Sequence, residues 1–195
     1  MSKSFRFATA VLGGVLGVAL AAAQPAGAQE QGFTPIPVIK GVKSIEIGLP
    51  APDFTVKDLD GKTFTFSDER TKKAHLLVFW SIFCEPCREE MPIIQRISDE
   101  FKAAGSLNVL AVNMDGEPFI DGIRGFLRQY KYSVRVILDE LDAKGEQFAI
   151  ADPFQVAGTP VIYLVDAAGK VAGSHLGRIG EADLRALITR MLAAK

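Results

Sequence analysis

Apolar residues follow two spacings along the chain, and each spacing predicts one type of secondary structure. The unbroken apolar run at 76–80 has the length of a strand buried on both faces. A second buried strand is expected over 107–112 and a short strand over 134–138. Apolar residues that recur every three or four positions predict amphipathic helices. The helices are expected over 86–104, 119–130 and 184–192, with a further short helix over 141–151.

Two segments have the pattern of β-hairpins. Period-two alternation on both sides of Asp60-Gly61 predicts an N-terminal hairpin within residues 54–66. Residues 161–165 and 171–176 flank a second turn that ends at Gly169. The order of strands and helices predicts an α/β fold with a mixed central sheet flanked by helices.

The first thirty residues have the composition of a targeting segment. Lys3 and Arg6 precede the uncharged run 8–23, and Ala26-Gly27-Ala28 follows it. The run is shorter than the ~20 residues of a membrane span. We therefore predict a signal peptide over 1–28, with an uncleaved N-terminal anchor as the alternative. Export would place the chain in the periplasm.

Composition and charge limit the class of protein. The chain has 195 residues with 48% apolar content, which is enough for one folded domain and excludes a disordered chain. Its net charge of −1 lacks the basic excess of a nucleic-acid binder. We expect an extended Pro- and Gly-containing lead-in over 29–47 and the folded domain over 48–195.

Cys84 and Cys87, the two cysteines of the chain, lie between a predicted strand and a predicted helix. Pro86 suits the first helical turn, which places Cys84 at the helix N-terminus. Unpaired N–H groups and the helix dipole stabilise a thiolate there. The spacing lets the second sulfur reach the first. We infer that Cys84 attacks disulfides and that Cys87 resolves the mixed disulfide.

Two structural explanations of the cysteine pair are weaker. A disulfide that closes so short a loop stabilises a fold little. A structural zinc site takes four ligands, and only His75 and His175 would be left as further soft donors. The exchange chemistry is therefore the favoured interpretation.

The segment around the cysteines resembles the active-site segment of the TlpA/ResA-like branch of the thioredoxin superfamily. It reads FWSIFCEPCREEMP over residues 79–92, and the likeness continues through 156–171 and the last helix. The resemblance covers roughly residues 48–193. It implies a thioredoxin fold with an N-terminal β-hairpin and a central insertion around 132–156. Phe83 departs from the family, in which most members have Trp before the first cysteine.

The resemblance also implies roles for individual residues. Glu90 lies three residues after Cys87 on the same helix face, and a carboxylate there can carry a proton and raise thiol pKa values. A cis Thr159–Pro160 bond is expected to face the cysteines. The implied substrate-binding residues are Trp80, Phe83, Glu85, Pro86, Thr159 and Pro160.

Together these observations predict an exported thiol-disulfide oxidoreductase that needs no cofactor and no metal. The carboxylates of Glu85 and Glu90 oppose thiolate formation and therefore favour a reducing pair. The resemblance implies protein disulfide substrates, apocytochrome c among them, and a membrane thiol transporter as electron donor. Contact with the membrane is expected only if the N-terminal segment stays uncleaved.

Two other functions stay open at this point. A copper-binding metallochaperone of related fold uses a cysteine pair with one more intervening residue and a distant histidine, for which His175 is the candidate. A peroxiredoxin-type peroxidase needs a Pro-x-x-x-Thr-x-x-Cys context, which the residues before Cys84 lack.

Overall fold

The structure, a computed structural model, describes residues 45–142 and 144–194. The predicted signal peptide over 1–28 and most of the lead-in over 29–47 lie outside the described residues. Within the described part, no helix combines the length and apolar composition that a bilayer crossing requires. The elements in chain order are β1 (Thr55–Lys57), β2 (Thr63–Thr65), α1 (Ser67–Arg70), β3 (Ala74–Trp80), α2 (Glu85–Ala104), β4 (Leu107–Asn113), a 3-10 turn (Glu117–Phe119), α3 (Ile120–Tyr130), β5 (Arg135–Leu138), β6 (Val161–Val165), β7 (Val171–Leu176) and α4 (Glu181–Ala193).

The central sheet has five strands in the order β5-β4-β3-β6-β7. Strands β3, β4 and β5 are parallel, and β6 and β7 are antiparallel to their neighbours. Trp80 at the end of β3 pairs with Asn113 at the end of β4, and Phe79 pairs with Val161 at the start of β6. The segments after β3, β4 and β5 and the segment before β6 therefore meet at one edge, which we call the site edge.

The strands are rich in apolar residues because both faces of the sheet are covered. One face packs against apolar residues of α2, α3 and α4, and Trp80 belongs to this cluster. The other face packs against the hairpin β1–β2 and residues 150–156, and Phe79 belongs to that cluster. Every residue of β3 is buried, which explains its unbroken apolar run.

The segment between β5 and β6 differs from the sequence-based prediction. A short helix was expected over 141–151, but the described residues of that range form turns and an isolated bridge between Leu141 and Phe148. The Asp142 carboxylate accepts hydrogen bonds from the N–H groups of Lys144 and Glu146 at 3.1 and 2.9 Å. An aspartate side chain that binds nearby N–H groups competes with the helical backbone bonds, so the chain turns instead.

Helix α2 begins and ends where its sequence directs. Cys84 is the N-cap in extended conformation, Pro86 lies in the first turn, and Gly105 ends the helix with a positive φ of 67°. Its buried residues are Cys87, Glu90, Met91, Ile94, Ile97 and Ser98. Two of these six residues are the second cysteine and a carboxylate, so the helix carries site chemistry on its buried face.

Candidate active site

The cysteine pair forms a disulfide at the N-terminus of α2, with 5.2 Å between the two Cα atoms. The Sγ atom of Cys84 accepts a hydrogen bond from the backbone N–H of Cys87 at 3.2 Å. Cys84 is partly exposed, whereas Cys87 is 1% exposed. A large substrate can therefore reach Cys84 but not Cys87.

A carboxylate holds the loop that leads into Cys84. Asp115, two residues after β4, accepts hydrogen bonds from the Ser81 hydroxyl at 2.5 Å and the Ile82 N–H at 2.8 Å. The Asn113 side-chain amide donates to the same carboxylate at 2.9 Å. The Ser81 hydroxyl in turn accepts from the N–H of Phe83, and the Ser81 carbonyl accepts from that of Cys84. The reactive loop is thus anchored before the helix begins.

Glu90 is a buried carboxylate one helical turn after Cys87. It is 2% exposed and accepts a hydrogen bond from the Ile179 N–H at 2.9 Å. Burial raises its pKa above the ordinary value, because removal of water disfavours the charged form. The Ile179 hydrogen bond and the charge of Arg178 oppose that rise in pKa. A carboxyl group in this state can take up and release a proton nearer neutral pH than an exposed glutamate can.

Thr159 and Pro160 also lie at the site edge, because they directly precede β6. The peptide bond between them is cis, as the resemblance implied. The Pro160 carbonyl accepts a hydrogen bond from the Gly177 N–H at 2.8 Å, which ties this segment to the end of β7. Thr159 is partly exposed and Pro160 is buried. Only the threonine therefore presents surface to a partner.

The remaining predicted substrate-binding residues divide into exposed and buried ones. Phe83, Glu85 and Pro86 are exposed around Cys84. Trp80 is 0% exposed and packs on Phe126, with ring centroids 5.5 Å apart. A substrate cannot touch a side chain that is fully covered, so the substrate-binding role expected for Trp80 is corrected to a supporting role beneath the loop.

Asp139, a second buried carboxylate at the site edge, was missed by the sequence interpretation. It follows β5 and is 0% exposed. Its carboxylate accepts hydrogen bonds from the N–H groups of Ile150 and Ala151, each at 2.8 Å, and its own N–H donates to the Asn113 carbonyl at 2.8 Å. Burial is the main cause that raises the pKa of Asp139 to about 6. It fastens the insertion to the sheet a few residues before Thr159.

The positions of Asp115 and Asp139 in the sequence could have identified both residues as candidates for the site. Each follows the end of a parallel strand by one or two residues, and the ends of such strands meet at one edge of the sheet. A polar residue in that position is a candidate for the site. The hydrogen-bond partners could not be predicted, because they come from segments distant in sequence.

The two histidines do not join the cysteines in a common cluster. His75 is fully buried, with Nε2 at 3.3 Å from the Asn108 amide nitrogen, and burial lowers its pKa. His175 Nε2 lies 3.1 Å from the Arg178 carbonyl oxygen. Among the described residues, no group of three or more His, Cys, Asp or Glu side chains could hold a metal ion.

Known proteins are similar to this chain in sequence. The Redoxin family model matches residues 46–188. Thioredoxin-like protein YneN of Bacillus subtilis is 32% identical over 141 residues, which are 72% of this chain and 77% of the relative. Thiol-disulfide oxidoreductase ResA of the same organism is 32% identical over 144 residues, which are 74% of this chain and 75% of the relative.

A solved structure supports the same relationship. It comes from Chlorobium tepidum, is assigned as a thiol:disulfide interchange protein DsbE, and is 30% identical with a TM-score of 0.65. The match covers 77% of this chain and all of that one. The N-terminal hairpin and the mixed sheet flanked by helices are those of a thioredoxin fold. The chain belongs to the Redoxin family, and it is a thiol-disulfide oxidoreductase of the kind represented by ResA.

Proposed function

We propose that the protein is exported and reduces disulfides in other exported proteins, the haem-site cysteines of apocytochrome c among them. The observation that carries the proposal is the asymmetry of the cysteine pair. Cys84 is partly exposed at a helix N-terminus, and Cys87 is buried one turn further along the same helix. This asymmetry suits a pair in which one sulfur meets the substrate and the other completes the reaction.

The reaction starts from the reduced dithiol. The Cys84 thiolate attacks one sulfur of the substrate disulfide, the substrate S–S bond breaks, and the departing substrate thiolate takes a proton. Cys87 then loses its proton and attacks Cys84 of the mixed disulfide, which releases the second substrate thiol. Two electrons pass to the substrate, and the Cys84–Cys87 disulfide remains. A dithiol protein must supply two electrons to restore the starting state.

Glu90 is the proposed proton acceptor for Cys87. It lies one turn after Cys87 on the buried helix face, and its raised pKa brings proton exchange closer to neutral pH. A negative charge at this place also opposes formation of a second negative charge on the cysteines. A pair whose thiolate is less stabilised is a stronger reductant. Glu90 therefore favours reduction of substrates over their oxidation.

Phe83, Glu85, Pro86 and Thr159 form the proposed substrate surface, and the buried Pro160 supports it as the residue that follows Thr159. The first three are exposed beside Cys84, and Thr159 is partly exposed at the same sheet edge. An extended substrate segment gains main-chain hydrogen bonds when it lies beside a free backbone edge. The Thr159 backbone is the proposed edge for this pairing.

Three parts of the proposal rest on the sequence and on family likeness. They are export, the apocytochrome substrate, and a membrane thiol transporter as electron donor. The support for export is the basic start, the apolar run and the Ala26-Gly27-Ala28 site. N-terminal sequencing of the protein from its native host tests this part. A start at Gln29 is expected, and a start at Ser2 would favour an uncleaved anchor.

The redox potential tests the proposed direction of reaction. The protein is equilibrated with glutathione buffers, and the disulfide fraction is measured by mass after alkylation. We expect a value nearer the about −270 mV of thioredoxin than the about −120 mV of a strong periplasmic oxidant. A value above about −180 mV, that of a disulfide isomerase, would contradict a reducing role.

A further inference from the structure

Two exposed aromatic rings lie together beside the reactive sulfur. Phe83 is 67% exposed and Phe119 is 43% exposed, and their ring centroids are 5.1 Å apart at an interplanar angle of 82°. Phe83 directly precedes Cys84, whereas Phe119 ends the 3-10 turn that follows β4. The two rings thus come from different elements and meet in an edge-to-face pair, which we call the aromatic pair.

The protein holds the aromatic pair in place from both sides. Asp115 anchors the loop before Phe83 through Ser81 and Ile82. On the other side, Gly116 turns the chain with a positive φ of 75°, and its carbonyl accepts the Phe119 N–H at 3.1 Å. Asp115 and Gly116 are adjacent, so one short segment anchors the backbone that leads into both phenylalanines. Two large apolar side chains held at the surface mark a contact site rather than a loosely packed loop.

The position of the aromatic pair determines what it can meet. When a substrate cysteine is bonded to Cys84, the two Cα atoms lie roughly 5.5 Å apart. The residue next to that substrate cysteine lies only about 3.8 Å further along the chain. The side chain beside the substrate disulfide is therefore within reach of Phe83 and of the ring packed on it.

Resting on the proposed function, we propose that the aromatic pair selects substrate segments with a large apolar side chain next to the disulfide cysteine. Phe119 is the specificity-determining residue that the sequence pattern did not reveal. A second copy of this chain fits the surface less well, because each phenylalanine has an exposed glutamate two residues away in the chain. These are Glu85 beside Phe83 and Glu117 beside Phe119. Two copies that packed through these rings would bring four like charges together.

The test uses two disulfide-bonded peptides that differ only in the residue before the first cysteine, Leu in one and Ser in the other. Each kcat/KM value is divided by the rate of the same protein with hydroxyethyl disulfide, so that general changes in dithiol reactivity cancel. We expect wild-type protein to prefer the Leu peptide roughly five- to tenfold, the range for an apolar side chain that is partly buried.

Phe119→Ala should reduce this preference to below about twofold, and Phe119→Leu should retain part of it. Ile47→Ala is the matched control, because Ile47 is 60% exposed and lies far from the site edge. Its neighbour Gly48 donates a hydrogen bond to the carbonyl of Val171, which begins β7 and pairs with the last residue of β6. That variant should keep the wild-type preference. Melting curves of all variants identify any loss of fold, and Phe119→Leu provides the comparison if Phe119→Ala is destabilised.

Equal rates of wild-type protein with the two peptides would overturn the proposal, as would a preference that survives Phe119→Ala. Sedimentation supplies a second arm. A dimer that dissociates on Phe119→Ala would assign the rings to contact between copies and would also overturn it. Failure of wild-type protein to reduce even hydroxyethyl disulfide would refute the proposed function itself, a result distinct from a lost peptide preference.

Discussion

Glu90 accepts a hydrogen bond from the backbone N–H of Ile179 at 2.9 Å, and this bond joins α2 to the segment that begins α4. The carboxylate is 2% exposed, so it is held away from water on the same helix face as Cys87. This contact keeps a group of raised pKa beside the redox chemistry. The carboxylate also has a structural role as the acceptor of the Ile179 N–H, and the amide of a glutamine at position 90 could partly keep that role.

Glu90→Gln should make the redox potential less negative. Glutamine keeps an oxygen that can accept the Ile179 N–H but removes the charge that opposes a thiolate. We expect lower cysteine pKa values and a rise on the order of 30 mV, which corresponds to a tenfold change in the equilibrium constant. Glutathione equilibration measures the potential, and thiolate absorbance against pH measures the pKa values.

Glu89→Gln is the control for the charge of Glu90. Glu89 is the neighbouring glutamate, and it is exposed and paired with Arg178. Solvent screens an exposed carboxylate more than a buried one, so the redox potential should change much less in Glu89→Gln than in Glu90→Gln. An equal change in both variants would show that burial of Glu90 has no special effect.

Asp139 should make the stability of the protein depend on pH between about 4 and 6. Its pKa rises from an ordinary 3.8 to about 6 in the folded protein, so folded protein holds the proton more tightly than unfolded protein does. The stabilisation is fully present below pH about 4 and is lost as the pH rises through about 6. The difference between these two pKa values corresponds to a loss of at most about 3 kcal/mol in the free energy of unfolding.

Asp139→Asn tests this linkage, because asparagine does not titrate. At pH 4 the Asp139 carboxyl of the folded wild type is protonated, so its O–H faces one of the two N–H groups that Asp139 contacts, much as the asparagine NH₂ does. The variant should therefore be close to the wild type in stability at pH 4 and should become the more stable of the two as the pH rises to 7, because only the wild type loses stability when Asp139 ionises. Urea unfolding at both pH values measures the difference, and a difference independent of pH would contradict the raised pKa.

Ser81 and Asp115 should be energetically coupled. Ser81→Ala removes one hydrogen bond and should cost about 1 kcal/mol of unfolding free energy. Asp115→Ala leaves the Ser81 hydroxyl, the Ile82 N–H and the Asn113 amide without this acceptor, and should cost about 2–4 kcal/mol. The double variant should be more stable than the sum of the two changes implies, measured by urea unfolding of oxidised protein. Strict additivity would show that the two side chains do not act together.

The sequence predicted those parts of the fold whose structure depends on local pattern. The apolar run of β3, the turn residue Gly169 and the helix start at Pro86 each act through nearby residues, and the corresponding elements are confirmed. The helix expected over 141–151 was wrong, because the hydrogen bonds of Asp142 override a weak apolar pattern.

The sequence identified most readily the candidate site residues that lie within one short motif. Cys84, Cys87 and Glu90 lie within one segment of the chain, and their helix spacing placed them together. Asp115 and Phe119 act on partners more than thirty residues away, Ser81 and Phe83, which meet them only through the parallel pairing of β3 and β4. The burial of Trp80 likewise depends on Phe126 in α3, a contact that no local spacing indicates.

The proposed reaction depends most on the division of roles between Cys84 and Cys87, and trapping of the mixed disulfide tests that division directly. Reduced Cys87→Ser and Cys84→Ser proteins are mixed with a disulfide-bonded peptide at neutral pH, and the intact masses are measured. Cys87→Ser should gain the mass of one peptide, because its exposed sulfur attacks and no second sulfur resolves the bond. Cys84→Ser should remain unmodified, since Cys87 is buried. The opposite result would contradict the assigned roles: a stable adduct on Cys87 of the Cys84→Ser protein, and no adduct on Cys84 of the Cys87→Ser protein.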